Sequence, residues 1–254
     1  MRRFPCDSMR PMLVLETSGQ SLGVALRAKN GLIFEENVIA GSIHGRALAP
    51  LIKKALVTHN LRATELSAVA VSLGPGSWTG LRIGLSAAKA LAWSAGVTLI
   101  GVPSFEALAC AAAQSAPACA RLTLRDARSE GFFFALFSET LDAPERWIEE
   151  SVAQSPDIIA AVEKAMRNRS APLTVCGDRV CQDAVAESAR QRGWTLLPQC
   201  EYISAFAVAE CGWQRLQRGE GLTTAAQIHR LAPLYLRASD PELRLAKLYH
   251  NREF

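Results

Sequence analysis

A glycine-rich loop followed by an arginine offers the clearest chemistry in this sequence. Gly74, Gly76 and Gly80 lie between an apolar run and a helical pattern, and Arg82 follows them. Glycines at a helix N-terminus allow close backbone approach and can direct amide N–H groups at an anion. The loop lacks the Gly-Lys-Ser/Thr ending and the spacing of the common nucleotide fingerprints. These four residues are therefore candidates for contact with an anion or a nucleotide, and a purely structural turn is the alternative.

Residues that could bind a metal ion or act as acid–base catalysts are few and scattered. No two of the four histidines share the i, i+3 or i+4 spacing that would place both on one side of a helix. The seven cysteines are an odd number and include no CxxC pair, which argues against a disulfide framework and against a zinc site. We therefore predict no metal site and no catalytic residue, and we interpret the cysteines as mostly buried thiols.

The charge distribution bears on nucleic-acid binding. The chain of 254 residues carries a net charge of +4, with +2 in residues 1–10 and +3 in residues 211–254. A free-standing RNA-binding domain usually shows a basic face, because phosphate neutralisation supplies most of its affinity. The most apolar helical stretch, 85–101, is shorter than the roughly 20 residues of a membrane span and contains Lys89. We expect a cytoplasmic protein with no membrane segment, no signal peptide and weak intrinsic affinity for RNA.

The elements around these residues alternate between strand and helix patterns. Three strands, MLVLE, SLGVALRA and GLIFEENVI, form a meander, and a helix follows at 44–60. A nearly all-apolar strand, LSAVAVSLG, precedes the glycine loop, a helix follows at 81–95, and a further strand, VTLIG, precedes an Ala-rich helix. Later helices are predicted near 156–169, 180–193 and 205–219, with the strand PLTVCG between the first two.

The opening pattern returns in the second half of the chain. Residues 12–26 lie over residues 122–136 without a gap, and Glu16 then falls on Asp126. Two unrelated hairpins are the alternative, but an echo at the start of each half favours a duplication. A duplicated α/β unit is the layout of the actin-like, sugar-kinase and Hsp70 ATPase (ASKHA) fold, with two ribonuclease-H-like lobes. We predict a disordered extension at 1–11, an N-terminal lobe at 12–115 and a C-terminal lobe at 116–254.

Small residues recur every four positions along the helix at 81–95. Such a stripe allows another helix to approach closely, and leucines flank it. Packing on this protein's own first helix is one interpretation, and a partner protein is the other. On the second interpretation the partner-binding residues are Leu48, Leu51, Leu81, Gly84, Leu85 and Ala88.

Several motifs together resemble one known family. Residues 73–77, LGPGS, and 79–84, TGLRIG, closely resemble the signature of the TsaB/YeaZ family. Further matches follow in the same order along the chain: LVLETS, HGRALAPLI, GVPSFEALA, RDARSEGFF, VCGD and PLYLR. The resemblance spans nearly the whole chain and is thinnest at 141–173. It implies the duplicated ATPase fold and a close relationship to TsaD, the subunit that transfers the threonylcarbamoyl group.

The resemblance also separates this chain from a TsaD-type enzyme. The TsaD-type protein carries a His-x-x-x-His metal-binding pair after a strand that ends in Gly-Val, and here Ser104 and Leu108 stand at those positions. Glu16 stands where the TsaB/YeaZ family usually has an aspartate, which makes a phosphate–Mg²⁺ role there doubtful.

The function that the resemblance implies is that of an accessory subunit. It would form a heterodimer with a TsaD-like protein and work with a TsaE-like ATPase to modify tRNA, which it would reach only through the complex. It would have no cofactor of its own, because ATP and a metal ion belong to the partner subunits. A homodimer of the isolated chain stays open. The alternative is a stand-alone enzyme of the same fold, either a small-molecule kinase or an M22 peptidase-like protein.

Overall fold

The computed structural model describes residues 10–39, 44–140 and 144–236. Residues 1–9, which hold most of the predicted N-terminal extension, lie outside the described part. The first half contains, in chain order, β1 Met12–Glu16, β2 Ser21–Ala28, β3 Gly31–Ile39, α1 His44–Thr58, β4 Ala68–Ser72, α2 Trp78–Ala95, β5 Thr98–Val102 and α3 Ser104–Ser115. Its strands form one sheet in the order β3-β2-β1-β4-β5.

The second half repeats this plan. It contains β6 Ala120–Asp126, β7 Phe132–Phe137, β8 Arg146–Ala153, α4 Ser155–Met166, β9 Leu173–Gly177, α5 Arg179–Gln191, β10 Thr195–Leu196 and α6 Ala205–Gln217, and then a short α7, Ala225–Arg230. Its sheet has the order β8-β7-β6-β9-β10, so each strand has a counterpart in the first sheet. The predicted duplicated α/β fold is confirmed.

The two copies of the opening hairpin differ by one residue. Glu16, at the end of β1, lies opposite Gly23, whereas Asp126, at the end of β6, lies opposite Phe132. Six residues therefore separate the first pair and five separate the second. The gapless overlay of the two halves is right for β1 on β6. The shorter second turn moves β7 by one residue relative to β2, so that Ala25 corresponds to Phe134 by cross-strand pairing and not to Ala135.

The burial of each strand follows its place in the sheet. All residues of the central strands β1 and β4 are buried, whereas β3 at the edge is only partly covered. Helices α1 and α2 cover one side of the first sheet and share an apolar core with it. Helix α6 covers the other side, although it belongs to the second half of the chain, and α3 packs between α6 and the second sheet. The lobe boundaries at 12–115 and 116–254 stay a prediction. None of the described helices is long and apolar enough to cross a bilayer.

The structure contradicts the predicted partner-binding side chains. Leu48, Leu51, Leu81, Gly84, Leu85 and Ala88 are all buried inside this chain. The small-residue stripe faces the turn after β1, because a Cβ atom added at Gly80 would lie 2.0 Å from the Thr17 carbonyl oxygen. The stripe therefore accommodates a backbone turn of the same molecule and is not available to a partner helix.

Gly84 provides a test of this packing. A Cβ atom added there would lie 2.1 Å from Thr17 Oγ1, so Gly84→Leu should lower the free energy of unfolding by about 3 kcal/mol or more, or prevent folding. Gly84→Ala should lower it by roughly 1 to 3 kcal/mol. Urea denaturation followed by circular dichroism measures both.

The matched control is Gly45→Ala in the first turn of α1. Its added Cβ atom meets only Ile83 Cδ1, at 3.8 Å, and should change stability by less than about 1 kcal/mol. A Gly84→Leu variant as stable as the parent would show that the stripe does not pack against Thr17.

Candidate functional site

A cleft of about 1100 Å³ opens between the two lobes. The β1–β2 turn and the glycine loop before α2 line it from the first half. The end of β6, the turn after it and the start of α5 line it from the second half. Residues 234–236, beyond α7, close one side. Matching turns of the two repeats therefore face each other across this cleft.

Internal hydrogen bonds hold the glycine loop in place. Gly74, with a φ of 104°, donates its N–H to Ser104 Oγ at 3.1 Å and accepts from Ser104 N at 2.8 Å. Ser77 donates its N–H to the Ser18 carbonyl oxygen at 2.7 Å, and Ser77 Oγ caps α2 by accepting from Gly80 N at 3.2 Å. The amides of Gly74, Ser77 and Gly80 thus have partners within the chain, whereas that of Gly76 has none among the described residues.

The four candidate residues for anion contact separate into two groups. Gly76 and Arg82 line the cleft, whereas Gly74 and Gly80 do not. Gly80 packs against Thr17, and a Cβ atom added at Gly74 would lie 3.0 Å from the Leu234 carbonyl oxygen. The absence of side chains at Gly74 and Gly80 is explained by packing. Anion contact at Gly76 and Arg82 stays a prediction.

Arg82 contacts both the segment after α7 and the residues that follow the glycine loop. Its Nε donates to Tyr235 Oη at 2.9 Å, and its Cζ lies 4.5 Å from the centre of the Trp78 ring. The Trp78 and Tyr235 rings stack with centroids 3.8 Å apart. Leu234 N donates to the Leu73 carbonyl oxygen at 2.7 Å. Arg82 was among the predicted site residues and Tyr235 was not, although Tyr235 lies in the matched motif PLYLR.

A chain of polar contacts crosses the floor of the cleft. Glu16 Oε1 accepts from Ser18 N at 2.6 Å and from Ser18 Oγ at 2.5 Å. Ser18 Oγ and the Pro75 carbonyl oxygen accept in turn from Arg125 Nη1, at 2.8 and 3.2 Å. Arg125 Nε lies 3.7 Å from Asp178 Oδ1. Arg125 and Asp178 were not among the predicted site residues, although both lie in matched motifs, RDARSEGFF and VCGD.

Burial raises the pKa of the Glu16 carboxyl group above its ordinary value of 4.5. The hydrogen bond from Ser18 and the positive charge of Arg125 oppose this shift without cancelling it. The fold therefore favours the protonated form of Glu16 relative to the unfolded chain.

The positions that correspond to the histidine pair of TsaD-type proteins are used for packing. Ser104 is buried and bonded to Gly74, and Leu108 is buried in the core around α3. The carboxylates of the two aspartates of the cleft also accept hydrogen bonds from backbone N–H groups. Asp178 Oδ2 accepts from Asp126 N at 2.9 Å, and Asp126 Oδ1 accepts from Arg128 N at 2.7 Å. Within residues 10–39, 44–140 and 144–236, no three His, Cys, Asp or Glu side chains are grouped to hold a metal ion.

A family model described as "TsaD: tRNA N6-adenosine threonylcarbamoyltransferase" matches residues 38–240. The tRNA threonylcarbamoyladenosine biosynthesis protein TsaB of Escherichia coli is 26% identical over 230 residues, which cover 89% of this chain and 94% of that protein. The protein of the same name from Bacillus subtilis is 36% identical over 98 residues, or 39% of this chain. This second match spans less than half, 43%, of the Bacillus subtilis protein.

The similarity extends to solved structures. The structure "YeaZ from Pseudomonas aeruginosa" superposes with a TM-score of 0.70 at 21% identity, over 90% of this chain and all of that one. A second Pseudomonas aeruginosa structure, of an uncharacterized protein with similarity to peptidase YEAZ, has a TM-score of 0.71 at 20% identity. At this level of identity the two structures establish the fold.

The shifted pKa of Glu16 predicts a pH-dependent stability. Above pH 4.5 the unfolded chain loses the Glu16 proton while the folded chain retains it, so stability falls as pH rises toward the folded-state pKa. Glu16→Gln keeps an acceptor for Ser18 and removes this titration. In urea denaturation from pH 4.5 to 8, the variant should gain stability relative to the parent, with a slope of at most about 1.4 kcal/mol per pH unit.

Glu106→Gln is the control with the opposite sign. Arg215 and Arg146 lie 2.8 and 3.0 Å from the Glu106 carboxylate and hold its pKa below the ordinary value. Charged Glu106 therefore stabilises the fold above pH 4.5, and that contribution is lost as pH falls. Glu106→Gln should lose stability relative to the parent as pH rises toward about 5.5, and above that pH the difference should stay constant, because both states are then ionised in the parent. Parallel pH profiles for the parent and Glu16→Gln would contradict the raised pKa.

Proposed function

This chain belongs to the TsaB/YeaZ proteins, within the family described as TsaD: tRNA N6-adenosine threonylcarbamoyltransferase, and from that membership we propose that it is a non-catalytic subunit of the threonylcarbamoyladenosine machinery. It forms a heterodimer with a TsaD-like protein and works with a TsaE-like ATPase. ATP and the metal ion are bound by those partners, and tRNA is reached through the complex. The site of action is the cytoplasm, where tRNA is modified.

The observation that carries this proposal is that two positions on α3 serve packing inside the chain. The resemblance places the metal-binding histidines of the catalytic relative at Ser104 and Leu108. A serine bonded to the glycine loop and a leucine in the core cannot bind a metal ion in their place. A stand-alone kinase or peptidase-like enzyme would need another arrangement of acid, base and metal ligands, and the cleft aspartates already pair with backbone N–H groups.

The outer face of α1 and α2 is the surface that fits a partner protein. The two helices lie side by side on the first sheet, and their inner sides are buried. We use the name outer face for the exposed residues Arg46, Ala49, Lys53 and Val57 of α1 and Ser86, Ala90 and Trp93 of α2. Trp93 is 72% exposed and Val57 is 64% exposed. An exposed tryptophan beside small residues is typical of an interface anchor surrounded by flat contact area.

Charge indicates what such a partner presents. The two helices contain five Lys or Arg residues and no Asp or Glu. Lys54 is paired with Glu36 in this chain, but Arg46 and Lys53 point outward from α1. An acidic rim around an apolar centre on the TsaD-like protein complements this face. Such charges set orientation and association rate more than affinity.

The central test of the proposal is the activity of the pure chain. Alone, it should transfer no threonylcarbamoyl group to tRNA and show no meaningful ATPase activity. Reconstitution with its cognate TsaD-like and TsaE-like proteins, tRNA, ATP and an activated threonylcarbamoyl donor should yield modified tRNA, measured by mass spectrometry of nucleosides. Metal-dependent turnover by the pure chain that is lost on substitution of one of its own residues would contradict the proposal.

The outer face can be tested through binding of the TsaD-like protein. Ala90→Glu adds bulk and an acidic charge where an acidic partner must approach, and Trp93→Ala removes the exposed anchor. Each should weaken the heterodimer at least about tenfold, which corresponds to 1.4 kcal/mol, in calorimetry or analytical size exclusion. Both variants should keep the stability of the parent, because both side chains are exposed.

Ala184→Glu is the matched control. Ala184 is an exposed helix residue on α5 in the second half, away from α1 and α2. This variant should bind the partner as the parent does. Full binding by both Ala90→Glu and Trp93→Ala would place the interface elsewhere.

A further inference from the structure

The two loops that meet at the cleft floor present acceptors to its centre. Glycine loops that bind phosphate direct backbone N–H groups at the anion. Here the Pro75 carbonyl oxygen and Ser18 Oγ face the Arg125 side chain, and the N–H of Ser77 donates to the Ser18 carbonyl oxygen. The residues that line the cleft beside them are Gly76, Trp78 and Thr79. This arrangement is suited to a cation.

We propose that Arg125 is a built-in cation at this position, which joins the second sheet to the first and gives the site a preference for a guanidinium group over a phosphate. Arg125 lies on β6, and its side chain is 9% exposed. The acceptors of its Nη1 belong to the β1–β2 turn and to the loop before α2. The hydrogen bonds of this one side chain therefore cross from the second lobe to both loops of the first.

The glycines beside these acceptors fit the shape of the guanidinium group. A Cβ atom added at Gly19 would lie 2.9 Å from Arg125 Nη2, and one added at Gly76 would lie 3.0 Å from Arg125 Nη1. A side chain at Gly19 would press on Arg125, and one at Gly76 would meet first the Ser18 carbonyl oxygen, 2.3 Å from the added Cβ atom, and then Arg125. Glycine in both loops thus leaves room for a planar cation that comes from the opposite lobe.

The nearest carboxylate also favours a cation. The Asp178 carboxylate lies 3.7 Å from Arg125 Nε, although the arginines Arg128 and Arg179 also line the cleft wall. A phosphate in place of the guanidinium group would face the Asp178 carboxylate and the Pro75 carbonyl oxygen, and Arg125 Nη1 already donates to two protein acceptors. Removal of the guanidinium group leaves these acceptors buried without their donor, which is costly.

Chemical rescue tests this assignment. Arg125→Ala should lower the Tm by about 6 to 12 °C, since one partner of a buried charged network is removed. Methylguanidinium at roughly 10 mM should then raise the Tm of the variant by several degrees, because it binds the folded state at the vacated position. Inorganic phosphate and Mg-ATP should raise the Tm of neither the parent nor the variant.

Arg179→Ala is the control, because Arg179 lines the same cleft with an exposed side chain. It should keep the Tm of the parent and show no rescue. If Arg125→Ala does not fold, Arg125→Lys serves instead, since its compact ammonium group cannot reproduce the planar contacts and should also lower the Tm. A variant as stable as the parent, rescue by phosphate, or a Tm of the parent raised by Mg-ATP would overturn the assignment.

Discussion

The close approach of α2 to the turn after β1 is the constraint on which the rest of this structure depends. Gly76 before α2 and Gly80 and Gly84 within it face that turn, and a side chain on any of them would collide with Thr17 or Ser18. This contact seats α2 on the first sheet and holds Ser18 at the edge of the interlobe cleft. It also determines which side of α2 is left exposed, because the small-residue side is used inside the chain. The surface offered for a partner and the geometry of the cleft therefore have the same origin.

The cleft between the lobes is occupied in part by contacts of the protein itself. The glycines of the cleft loops could allow close approach of an anion, but Gly74 and Gly80 are explained by packing inside the chain. In this chain the amides of Gly74, Ser77 and Gly80 bond to neighbouring protein atoms, and a guanidinium group from β6 lies between the loops. The proposed role as a partner subunit is consistent with lobes that are connected by protein side chains.

Much of the fold could be predicted from the sequence, since local pattern determines it. The strand-like runs and turns around β2 and β3, the apolar run of β4 and the periodicity of α1 and α2 were sufficient, and so was the echo between Glu16 and Asp126. Strand β8 was missed because its burial does not alternate and its charged residues pair with one another, as Arg146 does with Glu150. The return of α6 to the first sheet was not predicted, because packing between distant segments leaves no periodic signal.

The candidate site was harder to predict for the same reason. A stripe of small residues has the same spacing whether it faces a partner helix or a backbone turn, so its orientation could not be inferred from α2 alone. Arg125 is about fifty residues from the glycine loop that it contacts, and nothing in its neighbourhood in the sequence indicates which acceptors it meets.

Hydrogen–deuterium exchange can be compared for one preparation in three states: the chain alone, with Mg-ATP, and with its TsaD-like partner. We expect the partner to slow exchange in α1 and α2, and we expect Mg-ATP to leave exchange in the β1–β2 turn and the glycine loop unchanged. Slower exchange in those two loops with Mg-ATP, or no change in α1 and α2 with the partner, would contradict these expectations.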